Sequence, residues 1–282
     1  MKIVVIGCNG MLGQDLVSAA EGAGFTVCGF DLPLVDLTRP PTLEAHLEDA
    51  DWWINCAAYT RVDDAEQAER EAYAVNSEGV RALARLAHRR RVPLLHISTD
   101  YVFDGRSDEP YGEAHTPNPL NVYGASKWAG EQALQAVGGT YAVVRTQSLF
   151  GHHGPNFVRA ILGKVQAGDA PLRVVNDQVS APTYTAHLAA GLCRLLLLNP
   201  RGTFHLTAAG ACSWYDFARA IVAAVRPEFP VEPMTSAGLQ RPAPRPAHAI
   251  LCNDRYAEWT GHALPSWQEG LAAYLQQEGD ST

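Results

Sequence analysis

Apolar residues gather in short runs along the first half of the chain, and the stretches between them carry a helical spacing. Lys2–Ile6 is a nearly continuous β-branched run, as expected of a strand buried on both faces of a parallel sheet. The glycine turn Gly7-Cys8-Asn9-Gly10-Met11-Leu12-Gly13 opens a helical pattern that lasts to about Glu21. Gly22-Ala23-Gly24 breaks it, and residues 25–30 form a second strand ending at Asp31. Residues 51–58 read as a third strand running into small residues, followed by one long helix over residues 66–91. Arg70, Arg81, Arg85 and Arg89 mark the outer face of that helix. Arg89, Arg90 and Arg91 suit its negative C-terminal end, and Pro93 stops it. Residues 94–97 and 141–145 are the fourth and fifth strands, with a helix beginning near Tyr123 between them. The alternation predicts an α/β fold, a Rossmann-type doubly wound parallel sheet over residues 1–150.

Beyond Gly151 the pattern changes. An amphipathic helix over residues 156–166 is followed by a strand at 172–175, a loop at 177–183 and a helix at 185–198. A short strand at 203–207, a helix over 214–225 that Ser213 can cap, and a last helix over 266–277 complete the chain. Residues 228–246 are proline-rich and expected to be irregular. We read 151–282 mainly as a smaller substrate-binding lobe, with segments near 172–200 returning to the first domain.

In doubly wound sheets ligands bind beyond the carboxyl ends of the strands. The segments Gly7–Gly13, Ala57–Tyr59, Ser98–Tyr101 and Arg145–Ser148 all follow strand ends, so they are expected to converge on one crevice. The first has GxxGxxG spacing between a strand and a helix, which suits a dinucleotide. Gly7 permits the tight turn, Gly10 lets backbone approach a pyrophosphate, and Gly13 lets helix pack on strand. The plain alternative is a glycine turn in some other α/β unit. Asp31 lies where an acid accepts hydrogen bonds from the adenosine ribose; with no Arg or Lys adjoining it, a 2′-phosphate is disfavoured and NADH is expected over NADPH. It could equally be a solvated turn residue. Tyr123 and Lys127 are four residues apart and share one helix face, so the ammonium is expected to lower the phenol's pKa for acid–base work on a carbonyl or alcohol. That spacing carries little on its own.

Composition narrows the partners. The 282 residues are 47% hydrophobic and 18% charged, an ordinary globular balance, and the formal net charge of −8 excludes the basic footprint of a nucleic-acid binder. The six cysteines are scattered without a CxxC pair, which predicts reduced thiols and neither zinc nor a disulfide framework. His152-His153 has no partner at metal-ligand spacing, so no metal is expected. The chain runs from Met1 straight into a strand, and its longest apolar helix contains Arg194 and is too short for a bilayer. A soluble cytoplasmic protein with no membrane partner is expected.

Several of these segments together resemble the extended short-chain dehydrogenase/reductases, and within them the dTDP-4-dehydrorhamnose reductase family. They are the GxxGxxG turn, Asn55-Cys56-Ala57-Ala58-Tyr59-Thr60-Arg61-Val62-Asp63, Ser98-Thr99-Asp100-Tyr101-Val102-Phe103-Asp104-Gly105, Tyr123-Gly124-Ala125-Ser126-Lys127 and Arg145-Thr146. The likeness continues through Asn156-Phe157-Val158, Asp177-Gln178, Pro182-Thr183, Arg245-Pro246-Ala247 and Trp267-Gln268-Glu269-Gly270-Leu271, nearly the whole chain.

The resemblance implies reduction of the 4-keto group of a nucleotide-activated 6-deoxysugar by NADPH or NADH. Tyr123 would protonate the 4-oxygen, Lys127 would lower the tyrosine's pKa and hold the nicotinamide ribose, and Thr99 would hydrogen-bond the carbonyl oxygen. Cofactor contacts are implied for Gly7, Asn9, Gly10, Met11, Leu12 and Gly13, for Asp31, Asp36 and Leu37, and for Ala57, Ala58 and Tyr59. Asn76 would order a water near Lys127. Substrate contacts are implied for Thr99, Asp100, Tyr101, Ser148, Asn156 and Arg245. A homodimer is compatible with the resemblance. Two departures bear on the sugar: Ser148 stands where the family usually has tryptophan, and Arg245-Pro-Ala-His-Ala249-Ile-Leu-Cys252 replaces R-P-x-x-S-x-L-D. Two other activities share the fold: an epimerase or dehydratase that retains its NAD, and a non-catalytic regulatory subunit that binds NADP and a partner enzyme.

Overall fold

Side chains on β1 (Lys2–Ile6) alternate between two cores, as strand geometry requires. Ile3 and Val5 pack with Leu16, Leu188 and Leu192 on one side, Val4 and Ile6 with Leu43, Leu83 and Leu86 on the other. The computed structural model describes residues 1–280, with side chains to Glu278. Five strands of the first half, β1, β2 (Thr26–Phe30), β3 (Trp52–Asn55), β4 (Leu94–Thr99) and β5 (Tyr141–Thr146), pair in parallel with a sixth, Gly202–His205. The spatial order is sixth strand, β5, β4, β3, β1, β2. Order reverses between β1 and β3, which makes their carboxyl ends the expected ligand crevice.

Four segments differ from the expectation. The single helix over 66–91 is broken into Val62–Ala65, Glu69–Tyr73, a π-helical turn Ala74–Gly79, and Val80–Arg90. The widened turn is closely packed. A Cβ on Gly79 would meet Leu37 Cβ at 2.7 Å, and one on Gly130 of the neighbouring helix would collide with the Asn76 carbonyl oxygen. Such turns concentrate at functional sites. The strand near 203 belongs to the main sheet and not to a lobe. The return to the main sheet is made by Thr185–Leu196, which packs against α1 (Met11–Gly22), and by Gly202–His205; Leu172–Val175 stays outside it. That strand pairs with Val231–Met234, inside the stretch expected to be irregular, where Pro233 is tolerated because the two strands form a sheet of their own with open edges. Around them Phe150, Val158, Ile161, Phe217, Ile221 and Trp267 form a separate small core. Ser213 caps its helix as expected, accepting from the Asp216 N–H at 3.0 Å.

A buried ion pair fastens the helix Val122–Val137 to the sheet. Arg145 of β5 meets Glu131 through Nη2 at 2.7 Å and Nε at 3.0 Å, and the two side chains are 3% and 4% exposed. Ser98 of β4 donates to Glu131 at 2.5 Å. His205 of the sixth strand gives its Nδ1 proton to the Tyr111 carbonyl, so its Nε2 can accept from Arg145 Nη1 at 3.3 Å. Burial, then the Arg145 charge, holds His205 neutral, its pKa lowered to about 3. Removing one member leaves the other charge buried and unpaired. Glu131→Gln is therefore expected to lower the unfolding free energy by about 3–5 kcal/mol in urea titrations, with much of the loss recovered when Arg145→Met is added.

Candidate active site

The crevice starts at the glycine turn. Gly7 has φ +82°, and a Cβ there would lie 2.6 Å from the Ala57 nitrogen; a Cβ on Gly13 would run into the Gly7 carbonyl oxygen. The turn is therefore closed against β3 and α1 by backbone contact. Gly10 precedes α1, so the helix presents its first N–H groups and positive dipole end to the cavity. Asp31 braces the turn: its carboxylate accepts from the Asn9 N–H and the Leu32 N–H, each at 2.8 Å.

One cavity of about 980 Å³ brings most of the expected residues together. Its dinucleotide end is lined by Gly7, Asn9, Gly10, Met11, Leu12 and Gly13, with Asp31, Asp36 and Leu37 at the side. Ala57, Ala58 and Tyr59 follow β3 along its floor. Thr99, Asp100, Tyr101, Tyr123, Lys127 and Ser148 line the other end. A glycine turn that a Cβ would fill, a helix N-terminus and a carboxylate beside them fit a dinucleotide, and the volume is at the upper end of ordinary ligand pockets.

Three expected residues lie outside the lining of this cavity and hold protein segments together. Asn76, in the widened turn, donates to the Tyr59 carbonyl and Ser126 Oγ, each at 3.0 Å, and accepts from the Tyr59 N–H at 2.8 Å. It fastens the loop after β3 to the Tyr123 helix through both of its amide donors. Asn156 is a helix cap, accepting from the Arg159 N–H at 3.1 Å and donating to the Gly151 and Gly154 carbonyls. Arg245 makes a two-pronged ion pair with Asp63 at 2.6 and 2.7 Å, and so ties the proline-rich segment to the short helix Val62–Ala65. The sequence signals Asn, Arg and loop position are the same for a ligand contact and for a clamp, which is why the pattern alone could not separate them.

Two residues absent from the expected set matter. Arg61 lines the cavity, its guanidinium 4.9 Å over the Tyr59 ring. Gln147 is 2% exposed and joins Asp100 Oδ2, at 3.3 Å, to the Ala249 carbonyl at 3.2 Å. Its position at the end of β5 was the available signal.

The protonation states differ from the simple phenol–ammonium picture. Burial raises the Tyr123 pKa, Thr99 pulling the other way, so the phenol keeps its proton and stands as a donor. The Lys127 Nζ donates to the Ile97 carbonyl at 2.7 Å. Burial lowers Lys127 itself to about 8, against the raising effect of Glu131. Burial likewise raises Asp100 to about 7, with Thr99 the largest opposing influence. Thr99 Oγ1 gives its proton to Asp100 Oδ1 at 3.0 Å and accepts from the Tyr101 N–H at 3.2 Å. While Asp100 is charged, Thr99 has no proton free for a substrate carbonyl. When Asp100 is protonated it can donate to Thr99, and the threonine hydrogen is released toward the cavity.

Because a methyl group on Gly13 must displace the Gly7 carbonyl, Gly13→Ala is expected to weaken binding of a nicotinamide dinucleotide by about tenfold or more, a loss of about 1.4 kcal/mol. Titrating reduced-dinucleotide fluorescence against both proteins, with circular dichroism to confirm the fold, measures it.

Residues 1–279 match the family model described as RmlD substrate binding domain. The chain is 38% identical to the dTDP-4-dehydrorhamnose reductase of Burkholderia thailandensis, the match covering 95% of this chain and 96% of the relative. It is 37% identical to a dTDP-4-keto-6-deoxy-D-glucose reductase of Streptomyces niveus, covering 95% of this chain and 94% of that one. Its fold superimposes on a crystal structure of dTDP-4-dehydrorhamnose reductase from Bacillus anthracis in complex with NADP, with a TM-score of 0.91, 34% identity, and 98% and 99% of the two chains covered. The match takes in the glycine turn, the Tyr123 helix and the small lobe alike, and the chain belongs to the RmlD substrate-binding domain family.

Proposed function

We propose that this protein is an NAD(P)H-dependent 4-ketoreductase of a nucleotide-activated 6-deoxysugar, converting dTDP-4-dehydro-L-rhamnose to dTDP-L-rhamnose. The observation that carries the proposal is the presence of Thr99, Tyr123 and Lys127 in the same cavity as the glycine turn. A nicotinamide bound there would supply the hydride. The N-terminus of α1 would hold the pyrophosphate, Asp31 the adenosine ribose and Lys127 the nicotinamide ribose. Tyr123, which keeps its proton, gives it to the 4-oxygen, and Thr99 stabilises the same oxygen by a hydrogen bond once Asp100 has released it.

The choice of sugar rests on the relatives, which at similar identity include reductases of different 4-keto sugars. At the substrate end, Ser148 has φ +48°, a left-handed conformation, and its Oγ lies 2.7 Å from Ser180 Oγ. A serine at this lining position leaves room that a larger side chain would take, which supports a substrate ring placed there. Asp31 supports NADH as the preferred reductant by its charge, whereas the Bacillus anthracis relative carries NADP.

Oxidation of NADH and NADPH, followed with a panel of dTDP-4-keto-6-deoxysugars, tests the proposal; no oxidation with any member refutes it. Tyr123→Phe is expected to reduce kcat by about 10²-fold or more while dinucleotide affinity is kept, since only the proton donor is lost. Protonated Asp100 and charged Lys127 are both the productive forms, so kcat/KM is expected to fall as pH rises through about 7 and then about 8. Asp100→Asn removes the lower of these two steps, which a pH–rate profile of the variant reads directly.

A further inference from the structure

Behind Lys127 a file of buried polar side chains runs back into the sheet. Asn55 at the end of β3 and His96 in β4 are fully buried, and Lys127 is 2% exposed. The Ala57 N–H donates to Asn55 Oδ1 at 3.1 Å, which fixes the orientation of the amide. Its Nδ2 therefore faces His96, 3.0 Å from Nδ1. An amide NH₂ has only protons to offer, so Nδ1 is the accepting nitrogen. Burial, then the charge of Lys127, holds His96 well below its ordinary pKa, and the neutral ring must carry its one proton on Nε2. Nε2 lies 3.4 Å from Lys127 Nζ.

An ammonium has three protons and no lone pair, so a charged Lys127 meets the His96 N–H as donor against donor. A neutral amine can accept that proton while still donating to the Ile97 carbonyl. The other groups facing Nζ do not change this. Glu131, one turn along the helix, favours the charge but is already held by Arg145 and Ser98. Cys56 is kept a thiol by burial, its pKa pushed up to about 12, and Tyr123 stays protonated.

We propose that Asn55 and His96 form a positioning pair for Lys127. Asn55 selects the His96 tautomer, and His96 seats the lysine amine against the Ile97 carbonyl while giving its charge no acceptor. The pair thereby leaves the charged form of Lys127 with the Ile97 carbonyl as its acceptor on this side, and so adds to the effect of burial. This deepens the reductase reading, in which Lys127 serves the nicotinamide ribose, but its test uses the protein alone.

Lys2, Lys127 and Lys164 are the only lysines of the chain, so ¹³Cε-lysine labelling follows the titration of Lys127 among three signals. Histidine-selective ¹⁵N labelling reads the His96 tautomer. In the unvaried protein His96 is expected to carry its proton on Nε2, and a proton on Nδ1 overturns the proposal. Asn55→Asp keeps an acceptor for the Ala57 N–H and turns a second acceptor on His96. His96 is then expected to move its proton to Nδ1, present a lone pair to Lys127, and raise the lysine's titration midpoint by about one pH unit or more. A midpoint that stays in place while the tautomer changes overturns the proposal. Should the variant fail to fold, the tautomer of the unvaried protein still decides. A protein with the expected tautomer that reduces no keto sugar refutes the reductase reading and leaves this one standing.

Discussion

Two charges one turn apart on the helix Val122–Val137 are buried against the end of β4, and the protein treats them in opposite ways. Glu131 receives a full complement of donors from Arg145 and Ser98, so its charge is compensated and the helix is fastened to the sheet. Lys127 receives a carbonyl oxygen and an imidazole whose proton faces it. Burying a charge without a close partner is costly, and the group responds by releasing its proton more easily. The site depends on this contrast: the ion pair supplies rigidity, and the uncompensated lysine and Asp100 supply groups that titrate where an acid–base catalyst works.

Such tuning has a consequence for stability, with a sign that follows from proton counts. Asp100 in the folded protein holds its proton to about 7, above its unfolded value, so it contributes less stability as pH rises toward 7. Lys127 loses its proton at about 8, below its unfolded value, so its contribution recovers as pH rises beyond 8. Both groups therefore weaken the fold most between these two values. The Arg145–Glu131–Ser98 cluster beside them offsets that weakness locally.

Much of the architecture was legible in the chain because the signals were local. Gly7, Gly10 and Gly13 between an apolar run and a helical pattern located the turn, and Ser213 marked a helix start. What was not legible depended on contacts distant in sequence. The π-helical turn at Ala74–Gly79 is closely packed, Gly79 against Leu37 and Asn76 against Gly130, and a helical periodicity reads the same with or without it. The sixth strand joins the main sheet from beyond residue 200, a pairing that no local pattern encodes. In the site, the resemblance implied ligand contacts for Asn76, Asn156 and Arg245, and the structure shows each also holding protein segments together, Asn76 through Tyr59 and Ser126, Asn156 through Gly151 and Arg159, and Arg245 through Asp63. The direction of the Thr99 proton is likewise a property of three-dimensional neighbours.

The central claim is that this crevice moves a hydride from a dinucleotide to C4 of a nucleotide-linked 4-keto sugar while Tyr123 protonates the oxygen. The most direct test is isotopic. The protein is incubated with the 4-keto sugar nucleotide and reduced dinucleotide carrying deuterium at C4 of the nicotinamide, using each stereoisomer in turn. With one of the two, the product should carry a single deuterium at sugar C4, in proportion to the dinucleotide oxidised. A sugar altered at C3 or C5 with solvent hydrogen, and a dinucleotide recovered unchanged, would contradict the account.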